Sequence, residues 1–267
     1  MPDSGKGRVS RDSTRNTLVV AIGVSFVCSI LVAGASVLLK PRQAKNEELY
    51  RQRIVLDVAG LYEPGIDIDD TFSTNVAVRL VDLSSGNFVD TPDASTFDPV
   101  AAAQNPDLST PVPSGLDIAG IRRRANYAPI YIVEGPAADR QIILPVHGYG
   151  LWSTMYGFLA LDSDGTTVRG LQFYEHAETP GLGDQIDDGG WQAQWRGKQL
   201  FDESGAVRLT VIRGQVRPGE QAIYEVDGLS GATLTGRGVT NLIHYWAGQH
   251  GFGPFLSGIR QEAKTVE

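Results

Sequence analysis

MYGFLALDSDGTTVRGLQFYEH, Met155 to His176, decides the fold class of this chain. Two runs rich in aromatic and aliphatic residues flank a polar, glycine-containing centre, which predicts a β-hairpin turning at Asp162 to Gly165. Comparable runs lie on both sides of it. PIYIVE (129–134), QIILPVHG (141–148) and VAVRLVDL (76–83) read as strands upstream, and GAVRLTVIRG (205–214) and QAIYEV (221–226) as strands downstream. WQAQWRGKQL (191–200) reads as a short helix or an aromatic loop, and Thr235 to His250 as an amphipathic helix. Ser84 to Gly115 is rich in Ser, Thr, Pro, Asp and Asn and predicts a long surface excursion, with a short helix near Pro99 to Gln104. Strands grouped together, helices at the ends and no internal repeat predict an α+β domain.

The N-terminal part has a different chemistry. TLVVAIGVSFVCSILVAGASVLL, Thr17 to Leu39, is 23 residues without a charge. At the helical rise it spans about 35 Å, enough to cross the hydrocarbon core of a bilayer. A cleaved signal peptide has a shorter apolar core, and here the run continues past the cleavage-like AGA at Ala33 to Ala35. A retained transmembrane helix is the expectation, with residues 1–16 as a short tail and 40–267 as the main domain. Asn46 to Tyr62 reads as a helical continuation with Leu49, Arg53, Leu56 and Gly60 on one side. Lys6, Arg8, Arg11 and Arg15 precede the span, while Lys40, Arg42, Lys45, Arg51 and Arg53 follow it, so counting positive charges does not set orientation. A short basic tail favours an inside N-terminus, with the main domain outside.

Of the 23 Lys and Arg and 31 Asp and Glu, four and two lie in residues 1–39, so residues 40–267 carry a net charge of about −10. Such a domain is a poor partner for nucleic acid. The one cysteine, Cys28, sits in the apolar run and permits neither an internal disulfide nor a cysteine-based metal cluster.

Three segments invite chemistry. DGLSGATLTGRGV, Asp227 to Val239, places small residues between a predicted strand and a helix. GLSGA, Gly228 to Ala232, is one residue short of the G-x-S-x-G nucleophile elbow, which would make Ser230 a nucleophile with His244 or His250 as base. Ala232 breaks that pattern, and the alternating parallel strands and helices of an α/β hydrolase are missing. A phosphate cradle at the helix N-terminus is a second reading, though the lysine of a P-loop is absent. Simple capping by Ser230, Thr233 or Thr235 is the third, and composition alone favours it. EHAETPGLGDQ, Glu175 to Gln185, reads as a constrained loop; His176 and Glu178 alone make no metal site. HGYGLWSTMYGF, His147 to Phe158, lets a planar ligand approach the backbone beside Trp152, or else forms core aromatics at a strand bend.

Taken together, these segments resemble a known family. DGLSGATLT (227–235) is similar to the flavinylation motif of FMN-binding domains that carry FMN on a threonine phosphoester, ETPGLG (178–183) to a second signature, and GYGLWSTMYGFLAL (148–161) to a third. With one membrane helix ahead of them, they resemble the C subunits of sodium-translocating NADH:quinone reductases, over the anchor and most of 129–255. The G subunits of Rnf-type electron-transport complexes share the anchor and the flavinylation motif. The LWSTMYGFLAL and WRGKQLF stretches favour the reductase.

The resemblance implies covalent FMN on Thr233, attached by a flavin transferase that takes the FMN moiety from FAD. It places Ser230, Gly231 and Ala232 around the phosphate and Trp152, Glu178, Thr179, Leu182 and Gly183 near the ring or its chain. Asp227 would help the transferase reach the hydroxyl, with Thr235 the alternative acceptor. It further implies a bacterial inner-membrane protein with a periplasmic main domain. That domain would relay electrons from a membrane iron–sulfur centre to FMN on the B component of the complex, with the B, D and E components as partners. No GxGxxG dinucleotide fingerprint is present, so NADH binding is expected elsewhere in such a complex.

Overall fold

The computed structural model describes residues 14–94, 96–134 and 140–266. Its elements, in chain order, are α1 (Thr14–Val58), α2 (Ile68–Asn75), β1 (Val76–Asp82), β2 (Phe88–Val89), α3 (Pro99–Gln104), β3 (Ser109–Pro111), β4 (Arg123–Ala125), β5 (Tyr127–Glu134), β6 (Arg140–Tyr149), β7 (Thr154–Asp162), β8 (Val168–Glu175), α4 (Gly189–Ala193), β9 (Thr210–Val211), β10 (Glu225–Val226), α5 (Thr233–Ala247) and α6 (Gly253–Val266). Single 3-10 turns lie at Gly183–Asp187 and Glu220–Tyr224.

The chain forms two units, one up to Leu49 and one from Tyr50 onward. In the first, α1 carries the charge-free run, with its aliphatic side chains exposed from Leu18 to Leu39. Among the described residues it is the one helix long and apolar enough to cross a membrane. Most of the predicted tail lies outside the described residues, but Thr14 to Asn16 are already helical.

The second unit is built on a six-stranded antiparallel sheet in the order β2-β1-β5-β6-β7-β8. The Met155–His176 hairpin is its centrepiece: β7 and β8 pair antiparallel, and Gly165, at φ +66°, donates its N–H to the Asp162 carbonyl. Asp164 secures the turn by accepting from the N–H groups of Thr166 and Thr167. Both sheet faces are covered, which explains why QIILPV is almost continuously apolar instead of alternating. Ile142, Leu144, Val146, Leu159 and Leu161 face a core completed by α5 and α6; Ile143, Phe158 and Ala160 face the last turns of α1.

Those last turns bury Ile54, Val55 and Leu56. The face predicted from Leu49, Arg53, Leu56 and Gly60 is therefore wrong in part. Arg53 and Gly60 are exposed, and Arg53 lies over the Tyr62 ring at 4.7 Å. Leu56 is fully buried, so Leu56→Ala is expected to destabilise the domain by about 2–5 kcal/mol, read as a lowered midpoint in chemical denaturation.

Two predicted strands are mostly irregular. GAVRLTVIRG contributes only Thr210–Val211, and QAIYEV is a 3-10 turn ending in Glu225–Val226; the two pieces pair in parallel. Their alternating apolar residues do reach the core, with Leu209 and Val226 fully buried, but each anchors a loop without a continuous ladder. WQAQWRGKQL begins as the short helix α4, N-capped by Asp188, and buries Trp191 and Trp195. The helix expected over 235–250 runs from Thr233 to Ala247, and α2 and α6 are additional. The 84–115 excursion holds α3 as expected, and its β3 pairs with β4.

One seam interrupts the sheet. β5 and β6 pair only from Tyr131↔Ile143 to Glu134↔Arg140, while β5 continues along β1 and β6 along β7. Extending the β5–β6 register by two residues puts Pro129 opposite Pro145. Leu83 donates to the Asn126 carbonyl on the β1 side, and Tyr149 donates away from β7 to the Ala119 carbonyl. Alternation from those bonds turns the nitrogens of both prolines toward the seam, where neither has a hydrogen to give. The ladder ends there, and the strands diverge.

Candidate functional site

Thr233 is the first residue of α5, and its side chain is exposed. Gly231 just before it has φ +73°, a left-handed conformation that suits glycine; a Cβ there would also meet Leu182 Cδ2 at 2.8 Å. The N-cap position is Ala232, which offers no side-chain acceptor, so none of the predicted hydroxyl caps is formed. Instead, Thr235 is buried and donates its hydroxyl to Glu178 Oε2 at 2.5 Å. Among the described residues, no side chain caps the first N–H groups of the helix, and the exposed Thr233 hydroxyl stands beside them.

Glu178 holds the region together. It is 4% exposed and accepts from the N–H groups of Leu151 and Trp152, both at 3.0 Å, as well as from Thr235. Burial by itself would raise its pKa; donation from Thr235 and from the Trp152, Leu151 and Ser153 backbone outweighs that and leaves it below the ordinary glutamate value. One carboxylate thereby joins the 148–155 segment, the ETPGLG loop and the start of α5. Glycine makes this possible. A Cβ on Gly183 would meet Glu178 Cβ at 2.8 Å and Thr235 Oγ1 at 2.9 Å, and one on Gly150 would meet Glu178 Oε1 at 2.5 Å.

Further bonds fix the surroundings. Gln185 donates from Nε2 to the carbonyls of Leu182 (2.7 Å) and Ser230 (3.0 Å), and Trp152 Nε1 donates to Thr179 Oγ1 at 2.9 Å. Asp227 accepts the Val216 N–H at 2.7 Å, its own N–H donates to Gln194 Oε1, and its carbonyl accepts from Trp191 Nε1. In this arrangement Asp227 holds the turn in place. Trp152 (64%), Leu182 (42%) and Leu234 (50%) remain exposed around the turn, forming an apolar rim. On another side, Thr233 lines a cleft of about 240 Å³ that also carries Arg213 and Arg237.

The sequence motifs single out Thr233, Ser230, Gly231, Ala232, Asp227, Glu178, Thr179, Leu182, Gly183 and Trp152, and the fold places them in one region. They did not find Gln185, Arg213 or Arg237. Arg213 and Arg237 reach the cleft from β9's loop and from α5, 24 positions apart, with no local pattern linking them. The elbow reading fares poorly. His244 Nε2 contacts the Leu209 carbonyl at 2.9 Å, and no histidine hydrogen-bonds Ser230 among the described residues. His176 accepts the Glu178 N–H on Nδ1, leaving Nε2 to donate to Asp187 at 2.8 Å, so His176 and Glu178 face different partners.

A family model for the FMN-binding domain matches residues 150–248, which contain the whole Glu178-centred region. Over 94% of its length the chain is 48% identical to the C subunit of the Na+-translocating NADH-quinone reductase of Pseudomonas aeruginosa, covering 98% of that protein. The chain belongs to the NqrC family, the C subunits of Na+-translocating NADH-quinone reductases. The Yersinia pestis member is 45% identical, with 95% of this chain and 96% of that protein covered. Among solved structures, NqrC of Shewanella oneidensis superposes with a TM-score of 0.74 at 35% identity, covering 82% of this chain and 99% of that one. The corresponding Parabacteroides distasonis protein superposes at 0.65 and 25% identity, with 82% and 97% covered. As a member of this family, the chain is an α+β FMN-binding component of an oxidoreductase complex.

Proposed function

We propose that this NqrC-family chain carries FMN covalently on Thr233 and acts as an electron relay between a membrane iron–sulfur centre and the FMN on the B component of the complex. The observation that carries the reading is the exposed Thr233 hydroxyl at an uncapped helix N-terminus, with Arg213 and Arg237 in the adjoining cleft. Attachment forms a bond between Thr233 Oγ and the FMN-side phosphorus of FAD; the pyrophosphate bond breaks, AMP leaves and the hydroxyl proton is lost. The resulting phosphodiester keeps one negative charge, which the helix dipole and the two arginines favour. Gly231 and Ala232 leave room for it. Trp152, Leu182 and Leu234 would supply exposed apolar surface for a planar ring. FMN, when bound, supplies one- or two-electron transfer.

In this reading α1 anchors the chain in the bacterial inner membrane with its N-terminus in the cytoplasm, and the domain lies in the periplasm, where a flavin transferase reaches Thr233. The B, D and E components are its neighbours. Two measurements test the proposal. The full chain produced with its transferase is expected to retain flavin absorbance after denaturation and precipitation; loss of all colour contradicts covalent attachment. Protease added to spheroplasts is expected to cleave the domain, and full protection contradicts the placement.

A further inference from the structure

The seam between β5 and β6 opens into a pocket of about 360 Å³, walled by Pro145, His147 and Ala128 from the strands, Ala103 from α3 and Trp246 from α5. It lies away from Thr233, whose cleft shares none of its lining residues. We propose that this seam pocket binds a small planar anion, an aromatic ring body bearing a single carboxylate or sulfonate.

The body is specified by the walls. Tyr127, Tyr156, Tyr174 and Trp246 contribute rings, and the remaining lining is mostly aliphatic. His147 stacks on Tyr156 at 5.4 Å between centroids and packs on Trp246 at 4.8 Å. Its ring nitrogens make no hydrogen bond among the described residues, and burial lowers its pKa to about 4, so at neutral pH it is an uncharged donor and acceptor. A volume in this range, mostly apolar with a few polar groups, suits a small ligand.

The anionic head is specified by the charge of the lining. Arg122, Arg123 and Arg124 line the pocket, and among the described residues no carboxylate does, in a domain whose net charge is about −10. Arg123 is committed to Ser109 and Arg124 to the His250 carbonyl, while the exposed Arg122 guanidinium has neither kind of partner among the described residues. Two nearby acids are turned to backbone: Asp117 accepts the N–H groups of Ile121 and Arg122, each at 2.7 Å, and Asp82, which also interacts electrostatically with Arg124, accepts those of Ser84 and Ser85. Arg122 is also the one non-glycine residue with positive φ, +63°, among the described residues. Strain of this kind costs about 1–3 kcal/mol and tends to persist where a binding geometry needs it.

The test uses the full chain in lipid nanodiscs, with empty nanodiscs as the blank, and titrates naphthoate and its neutral match naphthalenemethanol calorimetrically. Naphthoate is expected to bind one per chain and about tenfold more tightly than the alcohol. Arg122→Gly keeps the backbone conformation without the charge and is expected to erase that preference; Arg122→Lys is expected to keep most of it. Ala103→Trp fills the pocket and is expected to abolish binding of both. Near-ultraviolet circular dichroism establishes that each variant is folded, and the Arg122 pair decides the matter if Ala103→Trp is not. No heat above the blank for naphthoate on the unmutated chain overturns the proposal. So does naphthoate binding that Arg122→Gly leaves unchanged.

Discussion

Thr233→Ala is expected to leave the chain with no covalent flavin by mass spectrometry of the intact protein, and Thr233→Ser to restore it. Thr233 is exposed and caps nothing, so the alanine change should alter stability by no more than about 0.5 kcal/mol. That separation makes the result interpretable, because a folded, colourless protein reports chemistry and not collapse. Quinone reduction driven by NADH in a complex assembled with this variant should fall to background. Ser230→Ala should load normally, since Ser230 contributes its carbonyl to Gln185 while its side chain stays exposed. Thr235 is an unsuitable substitute acceptor, being 1% exposed with its hydroxyl already donated to Glu178. Covalent flavin surviving on Thr233→Ala would overturn the assignment.

Glu178→Ala should have the largest effect on the site's architecture. It strands two backbone N–H groups and a buried hydroxyl, a loss of about 3 kcal/mol, or roughly 6–12 °C in melting temperature. The unmutated carboxylate carries a pH signature as well. Its folded pKa lies below the ordinary glutamate value, so its contribution is complete above that value and is lost as pH falls through the folded one. Glu178→Gln, which cannot ionise, should lack this part of the acid sensitivity while keeping most of the shape. A Gln variant with the same acid profile as the unmutated chain would show that Glu178 is not the titrating clamp.

Much of this is legible in the amino-acid sequence. The hairpin is legible in its turn residues, and the 227–235 stretch draws attention to Thr233 because its resemblance to a flavinylation motif is contiguous in sequence. What stayed hidden depends on distance along the chain. Glu178 looks like one polar residue in a tight loop until Leu151, Trp152 and Thr235 close on it across separations of 26 to 57 residues. The expected strands at 205–214 and 221–226 misled for the opposite reason. Leu209 and Val226 are core residues, but burying an apolar side chain does not require an extended ladder around it. Capping by the turn's hydroxyls is sound local chemistry, but the N-cap position falls on Ala232, and Thr235 donates to Glu178 instead.

The opposed Pro129 and Pro145 have a consequence beyond the pocket beneath them. Parting two strands inside a sheet creates two new edges, and an edge with open N–H groups is a template for strands of other chains. Here each edge is blunted where the parting begins, by a residue that has no proton to offer. The opening in the middle of the sheet is thereby a poorer template for a foreign strand than the same parting would be without the two prolines.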